Sequence, residues 1–258
     1  MSRFIVVANR KGGCGKTTTV VNLSHALALK GKKILVVDLD PQAHSTLSLG
    51  VNPLSLSASI SDVLINNMSA KEIILDTRIK NISLIPSSRD LSSFEMEFSS
   101  IEGSETLLSE RIYKNIPYFD YIIFDPPPTI GLMTVSVLIA AKEAIIPVQM
   151  HYLAMEGLAE MMQFIYKINA TYNSDLEMSG IIPTFYNKHT KLAKQIIAEI
   201  NKNFGKEKLL PGIRSNITLA EAPGFGKTIF EYSPSSNGAK DYKKLADNID
   251  NQKRNTNG

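Results

Sequence analysis

A glycine-rich run near the N-terminus limits the folds that this 258-residue chain can adopt. The run follows an apolar segment at residues 4–8, precedes an amphipathic segment, and reads Lys11-Gly12-Gly13-Cys14-Gly15-Lys16-Thr17-Thr18. A strand, a glycine-rich turn and a helix in this order are typical of a phosphate-binding loop. The strict spacing of that loop fails, because Arg10 stands five positions before Gly15, where a glycine is required. The run therefore predicts a deviant Walker A loop.

Each residue type in this loop has a chemical task in binding a triphosphate. Glycines let backbone N–H groups turn toward phosphate oxygens, and the N-terminus of the following helix adds positive potential. We expect Lys16 to neutralise charge on the β- and γ-phosphates and Thr17 to hold Mg²⁺ through its hydroxyl. The loop therefore predicts a nucleotide site that uses Mg²⁺.

Short apolar runs alternate with helical patterns along the chain. The apolar runs are rich in Val and Ile, as buried strands are, and lie at residues 4–8, 33–37, 82–85, 121–124, 144–148 and 179–183. Helical patterns lie at residues 17–29, 104–115, 133–141, 155–169 and 191–203. This alternation predicts an α/β fold: a doubly wound, mostly parallel sheet with helices on both faces. We expect residues 1–250 to form a single P-loop domain and residues 251–258 to be a polar, frayed tail.

Acidic residues follow two of the predicted strands. Asp38 and Asp40 come at the end of one strand, and Asp125 comes at the end of another. Ligands of open α/β sheets bind at the carboxyl edge, where these side chains should meet. Four apolar residues followed by Asp125 have the form of a Walker B strand, whose carboxylate holds Mg²⁺. We expect Asp40 to orient an attacking water, and Asp38 to support the Mg²⁺ or act in a switch.

Composition excludes several classes of protein. Cys14 is the only cysteine, so no internal disulfide and no cysteine-based metal cage can form within one chain, and a reducing, cytoplasmic compartment fits. Hydrophobic residues make up 43% and charged residues 21%, as in ordinary globular proteins. The most apolar window, residues 131–150, is interrupted by Lys142, Glu143 and Pro147, which favours a helix and a strand over a membrane span.

A second G-K-T sequence occurs at Gly226-Lys227-Thr228. No apolar strand leads into it, and Pro234 stands where a long following helix should continue. We therefore interpret it as a basic surface turn rather than a second nucleotide site.

Basic residues are concentrated in the last third of the chain. The net charge is +3, but residues 181–258 carry 13 Lys and Arg against 7 Asp and Glu. Such asymmetry indicates a polyanionic partner, although a solvated lysine-rich surface is an equally good explanation. The candidate phosphate contacts are Lys188, Lys191, Lys194, Lys227, Lys240 and Lys243. Lysines that contact phosphates do not distinguish one base from another. They therefore predict DNA binding that is independent of sequence and weakens as the salt concentration rises.

Several blocks in one order resemble the ParA/MinD group of deviant-Walker P-loop ATPases, and most closely its short ParA/Soj branch of partition ATPases. Besides the phosphate-binding loop, the likeness covers Val37-Asp38-Leu39-Asp40-Pro41-Gln42, residues 121–127, Ile146-Pro147-Val148-Gln149, Ala154-Met155-Glu156-Gly157-Leu158 and Leu219-Ala220-Glu221-Ala222-Pro223. It extends over nearly the whole chain.

The resemblance implies an ATP-dependent switch. In that family, the lysine equivalent to Lys11 reaches the phosphates of a partner subunit, so ATP binding and homodimer formation are one event. Slow hydrolysis then acts as a timer, non-specific double-stranded DNA binds the dimer, and a ParB-type protein stimulates hydrolysis. Arg214 and Asn216 stand where relatives bind adenine. The implied location is the nucleoid in the cytoplasm. His189 and Thr218 replace arginines that relatives commonly use for DNA.

Other functions remain open at this point. A ParA-like ATPase could position a protein cargo instead of DNA. A MinD-like ATPase that positions itself on membranes needs a C-terminal amphipathic helix, and residues 248–254 lack an apolar face. A metabolic ATP-dependent synthase on the same scaffold is a further alternative, although the four histidines form no cluster in the sequence.

Overall fold

The computed structural model describes residues 2–114 and 116–252. Its strands are β1 (Arg3–Val7), β2 (Ile34–Asp38), β3 (Leu75–Asp76), β4 (Ile82–Ile85), β5 (Tyr121–Asp125), β6 (Glu143–Gln149), β7 (Glu177–Tyr186) and β8 (Ile213–Arg214). Its α-helices are α1 (Lys16–Leu29), α2 (His44–Ser48), α3 (Ile60–Leu64), α4 (Leu91–Phe98), α5 (Leu107–Tyr113), α6 (Leu132–Ala140), α7 (Ala154–Thr171), α8 (Lys191–Phe204), α9 (Ile217–Glu221), α10 (Ile229–Tyr232) and α11 (Asn237–Asn251).

Within these residues the strands form one eight-stranded sheet in the order β3-β4-β2-β5-β1-β6-β7-β8. All neighbouring pairs are parallel except β3 with β4. The six strands and the doubly wound, mostly parallel arrangement predicted from the sequence are confirmed. From β1 the chain passes to β2 on one side of β1, and from β5 it later passes to β6 on the opposite side of β1. Because the direction of the connections reverses at β1, a crevice opens at the carboxyl end of this strand.

The sheet separates two apolar cores. Ile5 and Val7 of β1 pack with α1 and α11 on one face, whereas Val6 and Ala8 pack with α6 and α7 on the other. Successive side chains of a strand point to opposite faces, so a strand buried on both sides reads as continuous apolar sequence. This explains why the strands were predictable.

The five predicted helices are present, with the helix predicted from residue 104 beginning as a 3₁₀ turn before α5. Its predicted end at residue 115 lies outside the described residues. At the C-terminus, α11 continues to Asn251 with Ile249 buried, so a regular helix occupies residues 248–251, and residues 253–258 of the predicted tail lie outside the description. Among the described residues, no helix is both long and apolar enough to cross a bilayer.

Candidate nucleotide site

The loop between β1 and α1 has a backbone that glycine permits. Gly13 and Gly15 adopt φ angles of +72° and +92°, in the left-handed region that side chains disfavour. A Cβ added at Gly12 or Gly13 would meet nothing within 4 Å, so the space in front of the loop is open. At Gly15, the added atom would lie 2.9 Å from the Phe185 ring. The loop therefore has a glycine-dependent backbone with open space beside Gly12 and Gly13 at the N-terminus of α1, as expected of an anion-binding loop.

Two residues that the sequence analysis did not single out fix the loop to neighbouring strands. Asn9 donates from Nδ2 to the carbonyl of Pro147 at 2.7 Å and accepts from the backbone N–H of Lys11 at 3.0 Å. Thr184 donates from Oγ1 to the carbonyl of Cys14 at 2.8 Å. These contacts reach β6 and β7, which are distant in sequence, and no local pattern indicates them.

The two lysines of the loop occupy different environments. Lys16 is 8% exposed, and its Nζ donates to the carbonyl of Lys11 at 3.3 Å. Lys11 directs its Nζ to the carbonyl of Leu153 in its own chain at 2.9 Å. Gly157 of α7 leaves the room for it, since a Cβ there would lie 3.0 Å from Cε of Lys11. The charge of Lys11 is therefore outside the loop, beside the N-terminal end of α7.

The three predicted carboxylates meet at the carboxyl edge of the sheet. Asp38 and Asp125 are register partners on β2 and β5, and both are fully buried. Burial raises the pKa of Asp125, while the Ser45 and Thr17 hydroxyls and the Lys16 charge lower it. Burial and the adjacent Asp125 charge raise the pKa of Asp38. A cation bound at this edge would offset the cost of placing two carboxylates side by side.

Asp40 differs from these two carboxylates in its contacts. It is 8% exposed, and its Oδ1 accepts from the backbone N–H of Gln42 at 2.9 Å. Its charge raises the pKa of Asp125, so the two groups lie near each other. The backbone N–H of Asp40 in turn donates to Oδ1 of Asp38 at 3.2 Å. Asp40 is therefore a buried carboxylate close to Asp125, and one of its oxygens accepts a backbone N–H.

The oxygen groups at this edge fit Mg²⁺. Oδ1 of Asp125 is buried and has no hydrogen-bond partner among the described residues. The Thr17 hydroxyl lies close enough to influence the pKa of the same carboxyl group. Mg²⁺ takes hard oxygen ligands and is commonly held by one or two protein oxygens together with substrate phosphates. Thr17 and Asp125 would hold the ion, whereas both oxygens of Asp38 accept hydrogen bonds, Oδ1 from the N–H of Asp40 and Oδ2 from that of Thr46.

The two predicted adenine contacts are occupied by other interactions. Arg214 forms a bidentate pair with the buried Asp241, with Nε–Oδ2 at 2.8 Å and NH2–Oδ1 at 2.7 Å. Asn216 caps α9, because its Oδ1 accepts from the backbone N–H of Thr218 at 3.0 Å. A role for either in binding adenine stays a prediction, and Arg214 would have to exchange or share its Asp241 contact.

The second G-K-T sequence is a turn, as expected. Gly226 has a φ of +61°, and Thr228 begins α10 with a capping box in which Glu231 participates. The Thr228 hydroxyl lies 2.7 Å from Nδ1 of His25, and Lys227 is exposed. Lys227, Thr17 and Thr18 nevertheless line one cavity of about 230 Å³, so the turn lies beside the first turn of α1.

The predicted DNA lysines are exposed and fall into two groups. Lys191 and Lys194 lie in the first turn of α8 and Lys188 in the turn before it; α8 packs with α7 on one face of the sheet. Lys240 and Lys243 lie on α11, which packs with α1 on the other face, and Lys227 precedes α10 on that side. The structure therefore divides these lysines between two layers on either side of the β7–β8 edge.

Comparison with known proteins identifies the group to which this site belongs. A family model described as an AAA domain matches residues 2–178, which include the loop and all three carboxylates. The sporulation initiation inhibitor protein Soj of Bacillus subtilis is 36% identical over 249 residues, covering 96% of this chain and 98% of Soj. The chromosome partitioning protein ParA of Myxococcus xanthus is 34% identical over 245 residues, covering 95% and 87%.

A solved structure agrees in fold. Cobyrinic acid a,c-diamide synthase of Mycobacterium smegmatis, with a bound ATP analog and magnesium, superposes with a TM-score of 0.82 at 31% identity, covering 96% of this chain and 93% of the other. The similarity in sequence and fold extends over nearly the whole chain and includes the deviant loop and the acidic strand ends. The chain belongs to the ParA/Soj family of partition ATPases, within the deviant-Walker P-loop proteins.

Proposed function

We propose that this chain is an ATP-dependent dimerising switch that binds DNA without sequence preference and acts in chromosome or plasmid partition. Residues 1–250 would act as one ATPase domain. The observation that carries the proposal is the open, glycine-shaped loop with Lys16 inside it and two buried carboxylates facing it. Family membership supports the ATPase activity.

Different groups of the loop would bind different parts of the triphosphate and its Mg²⁺. Backbone N–H groups of residues 12–18 would donate to phosphate oxygens, and Lys16 would give up its contact with the Lys11 carbonyl to neutralise β- and γ-phosphate charge. Bound Mg²⁺ would supply further charge neutralisation at these phosphates. Thr17 and Asp125 would hold it. Asp40 would accept a hydrogen bond from the attacking water and so orient it in line with the γ-phosphate.

Lys11 connects nucleotide binding to dimerisation in this proposal. Its Nζ is held by a single backbone carbonyl, that of Leu153, near the protein surface. Breaking this one exposed hydrogen bond costs about 1 kcal/mol at most, which contacts with the phosphates of a second copy would offset. A cation supplied in trans stabilises negative charge that develops during phosphoryl transfer. ATP would then shift the population from monomer to dimer by its higher affinity for the dimer.

DNA contact would come from the exposed lysines of α8 and α11. One protomer presents them on both sides of the β7–β8 edge, so a single duplex can contact both groups only across that edge. With about four phosphate contacts, the logarithm of the binding constant falls with the logarithm of salt concentration with a slope of about −3.6.

A duplex titration tests this part of the proposal. Non-specific duplex is titrated with and without ATP at low and high salt, using the wild type and a variant with Lys191, Lys194 and Lys243 changed to Glu. A matched control changes three exposed lysines elsewhere, Lys71, Lys80 and Lys114, to Glu, so the net charge is the same. We expect the first variant alone to lose ATP-dependent binding. Equal loss in both variants, or binding that ignores ATP, contradicts the proposal.

A ParB-type protein is the proposed partner, and the nucleoid the proposed location. One of the named relatives is a chromosome partitioning protein, and the family resemblance implies a site-bound protein that stimulates hydrolysis. The test measures phosphate release from the purified chain alone, with duplex, and with duplex plus the candidate partner. We expect slow hydrolysis alone and stimulation only when all components are present. The cargo-positioning, membrane-positioning and synthase alternatives gain no support from the two relatives named above, one of which is a chromosome partitioning protein.

A further inference from the structure

Helix α2 begins four residues after Asp40, at His44, and brings two hydroxyl side chains to the buried carboxylates. The Ser45 hydroxyl donates to Oδ2 of Asp125 at 2.7 Å. Thr46 donates to Oδ2 of Asp38 twice, from its backbone N–H at 2.8 Å and from its hydroxyl at 2.7 Å. Consecutive residues of one helix therefore bind the ends of two neighbouring strands.

The backbone before α2 is shaped for this arrangement. Ala43 has a φ of +53°, a conformation that a residue with a side chain adopts at a cost, and its N–H donates to the Asp40 carbonyl at 2.8 Å. Ser45 and Thr46 are then fully buried, with their hydroxyls directed at the sheet edge. The strained turn fixes where these hydroxyls lie relative to the strands.

Asp38 and Asp125 differ in which of their carboxylate oxygens accept hydrogen bonds. Asp38 uses Oδ2 for Thr46 and Oδ1 for the N–H of Asp40, so both of its oxygens are engaged. Asp125 accepts the Ser45 hydroxyl at Oδ2, whereas its Oδ1 is buried without a hydrogen-bond partner in residues 2–114 and 116–252, although the Thr17 hydroxyl is near enough to lower the pKa of this carboxyl group. A buried carboxylate oxygen without a partner is costly, and such groups in native proteins commonly await a ligand or an ion.

We infer that Ser45 is a positioning residue for Mg²⁺: by holding Oδ2 of Asp125, it keeps Oδ1 directed toward the ion. This inference rests on the proposed function, in which Asp125 holds Mg²⁺. Groups that hydrogen-bond metal-ligating carboxylates fix their orientation, and their loss commonly lowers metal affinity 10- to 100-fold. Thr46 holds Oδ2 of Asp38 in the corresponding way. This contact connects α2 to β2 and does not involve the ion.

A purely structural role for Ser45 makes a different prediction. If its hydroxyl only satisfies a buried oxygen, then removing it lowers the melting temperature and weakens nucleotide binding equally with and without Mg²⁺. A positioning role instead changes the Mg²⁺ concentration at which nucleotide binding tightens and leaves metal-free binding unchanged. The two roles are therefore separable without measuring hydrolysis.

The experiment follows binding of a fluorescent ATP analogue to the full chain, first in EDTA and then during a Mg²⁺ titration. It compares the wild type, Ser45→Ala and Asp125→Asn. Ser48→Ala is the matched control, because Ser48 is also buried on α2, and the hydrogen bonds from α2 to the two carboxylates within the described residues come from Ser45 and Thr46. For Ser45→Ala, we expect EDTA affinity within about twofold of wild type and a Mg²⁺ midpoint raised about tenfold. Ser48→Ala should match the wild type.

Each outcome decides between the possibilities. The inference is overturned if the Mg²⁺ midpoint of Ser45→Ala is unchanged, or if its nucleotide binding weakens equally with and without the ion. Asp125→Asn still tests separately whether Asp125 holds Mg²⁺. A wild type that binds no nucleotide, or that ignores Mg²⁺, overturns the proposed function itself. Should Ser45→Ala fail to fold, Ser45→Cys fills the same space with a weak donor and is expected to raise the midpoint too. No shift in that variant also overturns the inference.

Discussion

The contact between Lys11 and Gly157 predicts a measurable coupling between the P-loop and α7. Gly157 lies within α7, where alanine is normally favoured over glycine by about 0.5–1 kcal/mol because glycine loses more conformational freedom on folding. The three atoms nearest to a Cβ built at this position all belong to Lys11, at 3.0, 3.4 and 3.5 Å. Lys11 is therefore the neighbour that resists a larger residue there.

The expected magnitudes follow from that geometry. In the wild type, Gly157→Ala requires the end of the Lys11 side chain to shift by a few tenths of an ångström, which weakens its bond to the Leu153 carbonyl by up to about 1 kcal/mol and offsets the helix gain. In a Lys11→Ala background nothing is displaced, so the full gain of about 0.5–1 kcal/mol should be recovered. The double-mutant cycle should therefore give a coupling energy of about 1 kcal/mol.

Urea unfolding of the four proteins without nucleotide measures this coupling. We expect Gly157→Ala to leave the wild type unchanged or slightly destabilised, and to stabilise the Lys11→Ala variant. An equal effect of Gly157→Ala in both backgrounds would refute the reasoning, because the free energies would then be additive. The same substitution should also favour ATP-dependent dimerisation, since it removes a contact that Lys11 must leave.

Three further predictions concern single residues. Lys16→Ala should abolish binding of an ATP analogue while the circular dichroism spectrum stays unchanged, because the loop loses the cation inside it. Asp40→Ala should bind ATP and dimerise but hydrolyse it at least about 100-fold more slowly, as measured by phosphate release. Glu143→Gln should lower the free energy of unfolding in urea by about 3 kcal/mol, because Arg3, which donates from Nε to Glu143 at 2.8 Å, would keep a buried charge without its partner. A loss below 1 kcal/mol would contradict that last reasoning.

Much of the fold could be predicted because its strands are buried on both faces. The apolar runs at β1, β2 and β5 need no knowledge of their partners, since helices cover both sides of the sheet. The edge strands β3 and β8 are only two residues long and leave no periodic signal. The sequence analysis did not predict helix α11, because most of its residues are polar and its buried face includes Gly238 and Asp241 besides apolar residues.

The chemistry of the site was partly readable for a similar reason. The loop and the strand-end carboxylates lie next to apolar strands that can be predicted from the sequence. Ser45, Thr184 and Asn9 act through contacts with residues that are 80, 170 and 138 positions away. A small hydroxyl or amide acquires such a role only when the sheet brings distant strands together, so no local pattern predicts it.

Sedimentation of the chain with and without Mg²⁺ and a non-hydrolysable ATP analogue tests the central claim most directly. We expect a species of 28.4 kDa without nucleotide and one of about twice that mass with it. Lys11→Ala should stay at the lower mass although it still binds the analogue. A wild type that is saturated with nucleotide and remains a monomer would contradict the account, as would a Lys11→Ala protein that dimerises like the wild type.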